Sequence, residues 1–249
     1  MEWLWNNAFV QDLIILLKPA GYNLYFAFAS VPFGFPLAIL LALAKNHKNG
    51  LIRQPANWFV YAFRGSPLFI QFFMFYSIFL ALNQPLWKPW GIDWVMMSPL
   101  FIGSLVLMLN TSAYSAEIFY GALYAIPKGE IEAARAIGMN KWQEFRTVTW
   151  PNMLRLAWPA YTNEVVFLFH ATALVYFTMP VINQQKDLMN KAGELFEKDY
   201  SLVLHFSAAA FYFLVISIMI FSAFGWINHY LNRHLSTVKP LRFKLNCLR

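Results

Sequence analysis

Charged residues and cysteines are scarce in this sequence of 249 residues, and each shortage excludes a class of protein. Only 12% of the residues are charged, about half the usual share in soluble domains, whereas 59% are hydrophobic and 19% are aromatic. The single cysteine, Cys247, permits neither an intrachain disulfide framework nor a cysteine metal cluster. The composition therefore predicts an integral membrane protein.

Motifs of catalysis and nucleotide binding are also missing. The sequence has no G-x-x-x-x-G-K-[ST] phosphate loop, no nucleophile elbow and no His/Glu metal spacing, and its five histidines are isolated from one another. We therefore expect no catalytic residue, metal site or cofactor in this chain. The net charge of +7 comes from basic residues scattered between apolar stretches, so we also expect no nucleic-acid partner.

Long apolar segments are what the sequence does contain. A helix needs about 20 residues to cross a hydrocarbon core of about 30 Å. Segments of this kind lie at 21–44, 57–82, 98–123, 159–180 and 203–230. A closed barrel would instead show short alternating segments. The sequence thus predicts an all-α integral membrane fold with five transmembrane helices, a domain spanning residues 21–230.

The basic residues predict the orientation of these spans. If the spans alternate in direction, most basic residues fall on one side: Lys45, Lys48, Arg53, Lys128, Arg135, Lys141, Arg146, Arg155, Arg233, Lys239, Arg242, Lys244 and Arg249. The other side holds only Lys18, Lys88, Lys186, Lys191 and Lys198, the last three beside acidic residues. By the positive-inside rule the N-terminus lies outside and residues 231–249 form a cytoplasmic tail.

The N-terminal segment, residues 1–20, carries Glu2 where a signal peptide would have basic residues. We predict that residues 8–17 form a short helix at the outer interface, with Trp3 and Trp5 at headgroup level. A disordered tail is the alternative.

The loop at 124–158 is the most polar sustained part of the chain. Its stretch "EIEAARAI" is rich in helix formers, and Gly138 follows as a left-handed C-terminal cap. Asn140 then predicts an N-cap, with Gln143 completing a variant of the capping box, and the second helix is expected to end at Pro151. Such a helix pair suits either an amphipathic connector resting on the membrane or a docking element for a soluble partner.

The spacing in this loop resembles the signature loop of the membrane permeases of ABC importers. That motif is Glu-Ala-Ala, three residues, Gly, nine residues, Ile-x-Leu-Pro. The matching residues are Glu132, Ala133, Ala134, Gly138 and Pro151, while Val148 and Trp150 stand where the motif has Ile and Leu. The resemblance implies that these five matching residues couple the chain to an ATP-hydrolysing subunit that the loop enters.

Other stretches extend the resemblance to polar amino-acid permeases. "FRGSPLFIQ" at 63–71 is similar to an Arg-Gly-Thr-Pro-Leu stretch of that family, and "AYSAEIFYGAL" at 113–123 and "PAYTNEVVFLFHATAL" at 159–174 resemble spans of its histidine, lysine and arginine branch. The resemblance implies a type I ABC importer permease fold and transport of polar, cationic amino acids across the bacterial inner membrane.

The same resemblance implies an assembly. We expect a second permease subunit, identical or homologous, because five spans form only part of a pathway. Two ATP-binding subunits, which hold ATP and Mg²⁺, are expected at the cytoplasmic loops, a periplasmic or surface solute-binding protein is expected outside, and membrane lipid surrounds the spans.

Ionisable residues inside the predicted spans are the candidate substrate contacts. Glu164 and Glu117 lie where a charge is costly unless it is paired or faces water. A carboxylate in a low-dielectric cavity attracts a cationic amino acid strongly, but either glutamate could instead pair with Arg64 and hold helices together. The resemblance implies substrate contact for Glu164, because related permeases for cationic amino acids carry an acidic residue there.

Three further positions complete the candidate site. His170 follows Glu164 by six residues, about 120° around an ideal helix, so these two do not share a face, whereas Asn163 and His170 do. Both join the candidate substrate-binding set, although His170 fits a gate or a helix contact equally well. Arg64, Ser66 and Pro67 surround a helix break, which predicts a gate or kink in the pathway. An arginine that reaches the interface is the alternative.

Two other functions stay open for the chain. An ion-gradient-driven secondary carrier would use Glu164 and His170 as a proton relay, but the sequence has no internal repeat or inverted pair of half-helices. A structural membrane subunit without transport activity is the second.

Overall fold

The described part of the chain is built from helices alone. The structure, a computed structural model, describes residues 7–178 and 186–233, apart from the side chains of residues 176 and 177. Its four longest helices are α1 (Ala8–Lys45), α5 (Pro99–Ala125), α8 (Trp150–Ala171) and α11 (Leu202–Asn232). Within these residues every regular element is a helix, so the predicted all-α class is confirmed there.

Shorter helices connect or extend the long ones. In chain order they are α2 (Gly50–Gly65), α3 (Leu68–Leu82) with a π turn at Asn83–Trp87, α4 (Asp93–Met96), α6 (Lys128–Ala136), α7 (Lys141–Glu144) with a π turn at Phe145–Thr149, a 3₁₀ turn at Thr172–Leu174, α9 (Val175–Thr178) and α10 (Leu188–Asp199).

Four of the described helices are long and apolar enough to cross a membrane: Ala8–Lys45, Leu68–Trp87, Pro99–Ala125 and Leu202–Asn232. The third and fifth predicted spans closely match α5 and α11. The fourth, predicted at 159–180, corresponds to α8 and the short turns after it, which are not among the four. Polar residues such as Asn163, Glu164 and His170 lower the hydropathy of α8.

Two predicted helix boundaries differ from the structure. Residues 8–17 are not a separate helix, because α1 runs unbroken from Ala8 to Lys45. Asn7 caps α1 by accepting a hydrogen bond from the Phe9 N–H at 3.0 Å. The predicted second span, 57–82, consists of the end of α2 and the whole of α3, which a break at Ser66 and Pro67 separates. Trp3, Trp5 and the tail beyond residue 233 lie outside the described residues.

The predicted end of the second loop helix at Pro151 is wrong. The chain stays helical from Lys141 through the π turn and into α8, so the last part of the predicted loop belongs to a long helix. Pro151 lies in the first turn of α8, directly after the wider π turn. Proline lacks the N–H that a regular α-helix would use at this position, and the wider hydrogen-bond spacing of the π turn marks where the chain departs from a regular α-helix.

Helices α1 and α5 form the central pair of the bundle. Small residues bring their backbones close: the Ser112 hydroxyl donates to the Gly34 carbonyl at 3.2 Å, and the Ser30 hydroxyl donates to the Ser104 carbonyl at 3.0 Å. A Cβ on Gly103 would lie 2.8 Å from the Phe26 ring. Such close approach of small residues is typical of helix pairs in membranes. Helix α8 packs against α5 and α11, which places α5 between α1 and α8.

Candidate functional site

The break between α2 and α3 leaves backbone carbonyls without helical partners, and buried amides satisfy them. The Gln71 side chain, only 2% exposed, donates to the carbonyls of Phe63 at 2.7 Å and Ser66 at 3.0 Å. Asn110 on α5 donates to the Phe63 carbonyl at 3.3 Å and to Gln71 Oε1 at 3.0 Å. The predicted break at Ser66 and Pro67 is therefore confirmed, and amides from α3 and α5 satisfy its carbonyls.

This break forms one wall of a cavity. The cavity has a volume of about 680 Å³. It lies between the α2–α3 break, α5 and α8, and its lining residues are Arg64, Gly65, Ser66, Pro67, Leu68, Leu107, Asn110, Thr111, Tyr114, Glu164, Phe167, Leu168 and Ala171. The predicted gate residues and Glu164, nearly 100 residues apart in sequence, thus line the same space.

Glu164 provides the carboxylate of this cavity. Its Oε1 atom accepts a hydrogen bond from the Thr111 hydroxyl at 2.9 Å, and the residue is half-buried. Among the described residues it forms no ion pair. A half-buried carboxylate without an ion-pair partner attracts a cation more strongly than a carboxylate in bulk water does, although Arg64 lines the same cavity.

Glu117 differs from Glu164 because basic side chains already surround it. It pairs with Lys45 at the end of α1, whose side chain is 9% exposed, and lies 3.5 Å from Arg64 Nη1. Arg64 also lies over the Tyr114 ring, 5.2 Å from its centroid. Glu117 lines an adjoining cavity of about 490 Å³ that shares Arg64, Gly65 and Tyr114 with the first. The pairing with Arg64 that the sequence left open is present at Glu117.

Asn163 and His170 do not line the main cavity. Both are exposed on α8, on a different face from Glu164, as the helical spacing predicts. His170 Nε2 lies 2.8 Å from the Ser217 hydroxyl on α11, so the histidine contacts a neighbouring helix. The structure thus separates these two residues from the glutamate with which they were grouped.

The loop that contains Glu132, Ala133 and Gly138 forms a capped helix pair. Gly138 has a φ of +81°, its N–H donates to the Arg135 carbonyl at 3.0 Å, and the Met139 N–H donates to the Ala134 carbonyl at 3.1 Å. This is a Schellman C-cap. Asn140 and Gln143 form the predicted capping box, so the predicted helix, turn and helix start are confirmed.

An ion pair joins the two helices of this pair. Arg135 Nε and Nη2 donate to the two carboxylate oxygens of Glu144 at 2.7 and 3.0 Å. The hydrogen bond from Arg135 lowers the pKa of Glu144, which therefore stays ionised to a lower pH than an isolated glutamate. The bidentate contact fixes α6 against α7.

The residues that match the permease motif differ in their exposure to solvent. Glu132, Ala133, Gly138 and Pro151 are exposed, whereas Ala134 is buried. Ile137 and Trp142 are large apolar side chains that remain 74% and 67% exposed, as expected of a surface that a partner covers. Trp150 instead packs inward, against Phe145 and the core residues around Met153. The departure from the motif leucine is therefore accommodated inside the bundle.

Several site residues were missed by sequence reasoning. Gln71 ends the quoted stretch "FRGSPLFIQ" but had no role there, and Lys45 was counted only as a topology residue. Asn110, Thr111 and Tyr114 recur at helical spacing within an otherwise apolar span, a signal that predicts one polar face. No group of metal-ligating side chains occurs among the described residues.

A helical bundle with membrane-capable helices, a cavity that contains a carboxylate and an exposed helix pair fits a membrane permease. The sequence profile of the family described as "Binding-protein-dependent transport system inner membrane component" matches residues 34–236. The chain belongs to this family, the permease components of ABC importers, and has their type I fold. Transport, with ATP hydrolysis in separate subunits, is the activity of such components.

Curated relatives and a solved structure agree with this family. The chain is 38% identical to the histidine/lysine/arginine/ornithine transport system permease protein HisM of Salmonella typhimurium, over 83% of this chain and 88% of that one. It is 31% identical to the nopaline transport system permease protein NocM of Agrobacterium fabrum, over 93% and 95% of the two chains. A crystal structure of an amino acid ABC transporter with histidines matches with a TM-score of 0.68 and 25% identity, over 90% and 94%.

Proposed function

We propose that this chain is the permease subunit of an ATP-driven importer of cationic amino acids in the bacterial inner membrane. The observation that carries the proposal is the Glu164 carboxylate, which lines a cavity of about 680 Å³ and forms no ion pair among the described residues. An amino acid with a positive side chain supplies the missing charge. The likeness to permeases named for histidine, lysine, arginine and ornithine supports the same substrate class.

Five membrane spans are part of this proposal. The four apolar helices supply four of them, and α8 supplies the fifth, since Glu164 faces the cavity and His170 contacts α11. The concentration of basic residues at the end of α1, in the α6–α7 loop and after α11 supports a cytoplasmic location for these regions. The N-terminus is then outside and the C-terminus is cytoplasmic.

Glu164 and Glu117 have different roles in the proposed pathway. Glu164, oriented by Thr111, contacts the cationic side chain of the substrate. Glu117 holds Lys45 and Arg64 at the boundary between the two cavities, so Arg64 acts as a gate on the cytoplasmic side of the site. Neither Asn163 nor His170 lines the main cavity, and His170 acts at a helix contact with Ser217 on α11.

The proposed assembly contains two permease subunits, two ATP-binding subunits that hold ATP and Mg²⁺, and a solute-binding protein outside. The exposed helix pair α6–α7 enters a groove of an ATP-binding subunit, with Ile137 and Trp142 as apolar contacts. Closure of the ATP-binding subunits moves this rigid pair, and the spans rock between inward-facing and outward-facing states.

Reconstitution with the partner subunits tests this function. In proteoliposomes that contain the whole transporter, uptake of a cationic amino acid should require ATP and the solute-binding protein, and an uncoupler should leave it intact. Uptake that survives ATP depletion but collapses with the uncoupler would identify the chain as a secondary carrier. The family membership does not favour that alternative.

A further inference from the structure

A small cavity between α1 and α10 collects three of the lysines on the proposed outer side. It has a volume of about 280 Å³ and is lined by Ile15, Lys18, Pro19, Tyr22, Lys186 and Lys191. The first four residues lie on α1, Lys191 lies on α10, and Lys186 lies two residues before α10 begins. Lysines are disfavoured on the outer side of a membrane protein, so their convergence on one cavity needs a cause.

Carboxylates neutralise only part of this positive charge. Glu194 contacts Lys186 and lies 2.9 Å from Lys191, whereas Lys18 forms no ion pair among the described residues. Three ammonium groups thus share one carboxylate. Burial, together with the charges of Lys186 and Lys198, lowers the pKa of Lys191, as expected where positive charge is incompletely compensated.

Apolar surface continues from this cavity along α1 in both directions. Ile14 and Leu17 precede Lys18 and are 52% and 64% exposed, and Tyr25 and Phe28 follow it and are 46% and 73% exposed. Because α1 is one of the membrane-capable helices, these exposed side chains face lipid acyl chains, and a lipid headgroup is the anion that lies beside the lysines. A phospholipid covers both, with its phosphate at the lysines and its acyl chains along the helix.

We propose that this cavity binds the phosphate group of an anionic phospholipid, held by Lys18, Lys186 and Lys191, with its acyl chains packed on α1 beside Tyr25 and Phe28. The bound lipid also joins α1 to α10, since the lysines come from both sides of the cavity. This lipid site is separate from the substrate cavity, which shares none of its residues.

A lipid titration of the purified whole transporter in detergent tests the proposal. The melting temperature is followed against added phosphatidylglycerol or phosphatidylcholine with identical acyl chains, which gives an apparent affinity for each lipid. We expect phosphatidylglycerol to bind about tenfold more tightly, a difference of about 1.4 kcal/mol. The double variant Lys18→Gln/Lys191→Gln should lose this preference while keeping its affinity for phosphatidylcholine.

A control with the same loss of charge and a fallback pair of single variants accompany the double variant. Lys48→Gln/Lys88→Gln removes the same charge from exposed lysines outside the cavity and should keep the preference. If the double variant does not fold, Lys18→Gln and Lys18→Arg are compared; the first should lose about threefold in affinity for phosphatidylglycerol, and the second should retain it.

Three outcomes would overturn the proposal. Unchanged phosphatidylglycerol preference in the lysine variants would show that the cavity holds no lipid. Saturable stabilisation by millimolar inorganic phosphate without lipid would identify a free-ion site. Loss of stimulation by the solute-binding protein, with lipid binding intact, would assign the lysines to an acidic protein surface. The titration does not depend on the proposed orientation or substrate, so it can succeed even if the transport proposal fails.

Discussion

The exposed helix pair and the internal cavity are stabilised over very different distances along the chain. In the helix pair, the capping box joins residues three apart and the Arg135–Glu144 ion pair joins residues nine apart. In the cavity, the hydrogen bonds of Asn110 to Gln71 and of Thr111 to Glu164 join residues 39 and 53 apart, and the Lys45–Glu117 pair joins residues 72 apart. One region is fixed by local sequence and the other by helix packing.

This difference suits the two proposed roles. A helix pair that is fixed by its own caps can transmit a push from a partner without rearranging. A cavity whose carboxylate and amide contacts cross between helices changes when those helices move, so its affinity for substrate differs between transport states.

Gly138→Pro should have the largest effect, because it breaks the locally fixed region. The glycine has a φ of +81°, which proline cannot adopt, and its N–H donates to the Arg135 carbonyl. ATP-dependent uptake should fall at least about tenfold, while the amount of protein in the membrane stays the same. Gly138→Asn, which tolerates the left-handed conformation, is the control and should retain most uptake. Normal uptake by the proline variant would refute the docking role.

Glu164→Gln should have the next largest effect, and only on charged substrates. Uptake of arginine should fall about tenfold, equivalent to about 1.4 kcal/mol, because the variant loses the charge attraction but keeps the shape. Uptake of citrulline, a neutral molecule of similar shape, should change little. Each variant rate is divided by the wild-type rate for the same substrate, so selection by the solute-binding protein cancels.

Glu117→Gln is the matched comparison for Glu164. Since Glu117 is already paired with Lys45 and Arg64, its loss should reduce uptake of both substrates equally. Equal losses for Glu164→Gln as well would mean that Glu164 is structural.

Gln71→Leu should lower stability without changing selectivity. The variant leaves the Phe63 and Ser66 carbonyls with fewer donors at the helix break. We expect a loss of about 2–3 kcal/mol, seen as a lower melting temperature in detergent. Ser66→Ala removes only one of the contacts of Gln71 and should cost less. A Gln71→Leu variant as stable as the wild type would show that the break does not depend on the Gln71 amide.

Asp187→Asn should have the smallest effect. Asp187 combines a local hydrogen bond with burial by helix packing. Asp187 caps α10 locally by accepting from the Asn190 N–H at 2.8 Å, but tertiary packing buries it and raises its pKa to about 6. Because this folded-state pKa lies above the unfolded value, the wild type loses stability as the pH rises through about 6. Asparagine keeps the cap without the charge.

The Asp187→Asn variant should therefore melt close to the wild type only at about pH 4 or below, where the carboxyl of the unfolded chain is also protonated. It should melt higher at pH 8, by an amount on the order of 1 kcal/mol. A difference that is independent of pH would argue against burial of an ionised carboxylate.

Features fixed by local contacts could be predicted from the sequence, whereas features fixed by helix packing could not. The caps at Gly138 and Asn140 were predictable because their hydrogen bonds lie within a few residues. The break at Ser66 and Pro67 was predictable from backbone chemistry alone. Pro151 misled the prediction, because a π turn before it lets the helix continue, and the π turn has no simple sequence signal.

Contacts between distant residues were not predictable in this way. The residues alone identify Glu117 and Glu164 only as carboxylates within predicted spans, and the family resemblance favours Glu164 for substrate contact. Only the packing of α1 against α5 brings Lys45 to Glu117, and only the packing of α5 against α8 brings Thr111 to Glu164. The difference between a paired and an unpaired glutamate is therefore a property of the fold.

The most direct test of the account is an experimental structure of the whole transporter with arginine bound. The account predicts the arginine guanidinium in the cavity between α5 and α8, within about 3 Å of the Glu164 carboxylate. It also predicts that this density disappears in Glu164→Gln under the same conditions. Arginine bound elsewhere in the membrane domain, or bound equally well in the variant, would contradict it.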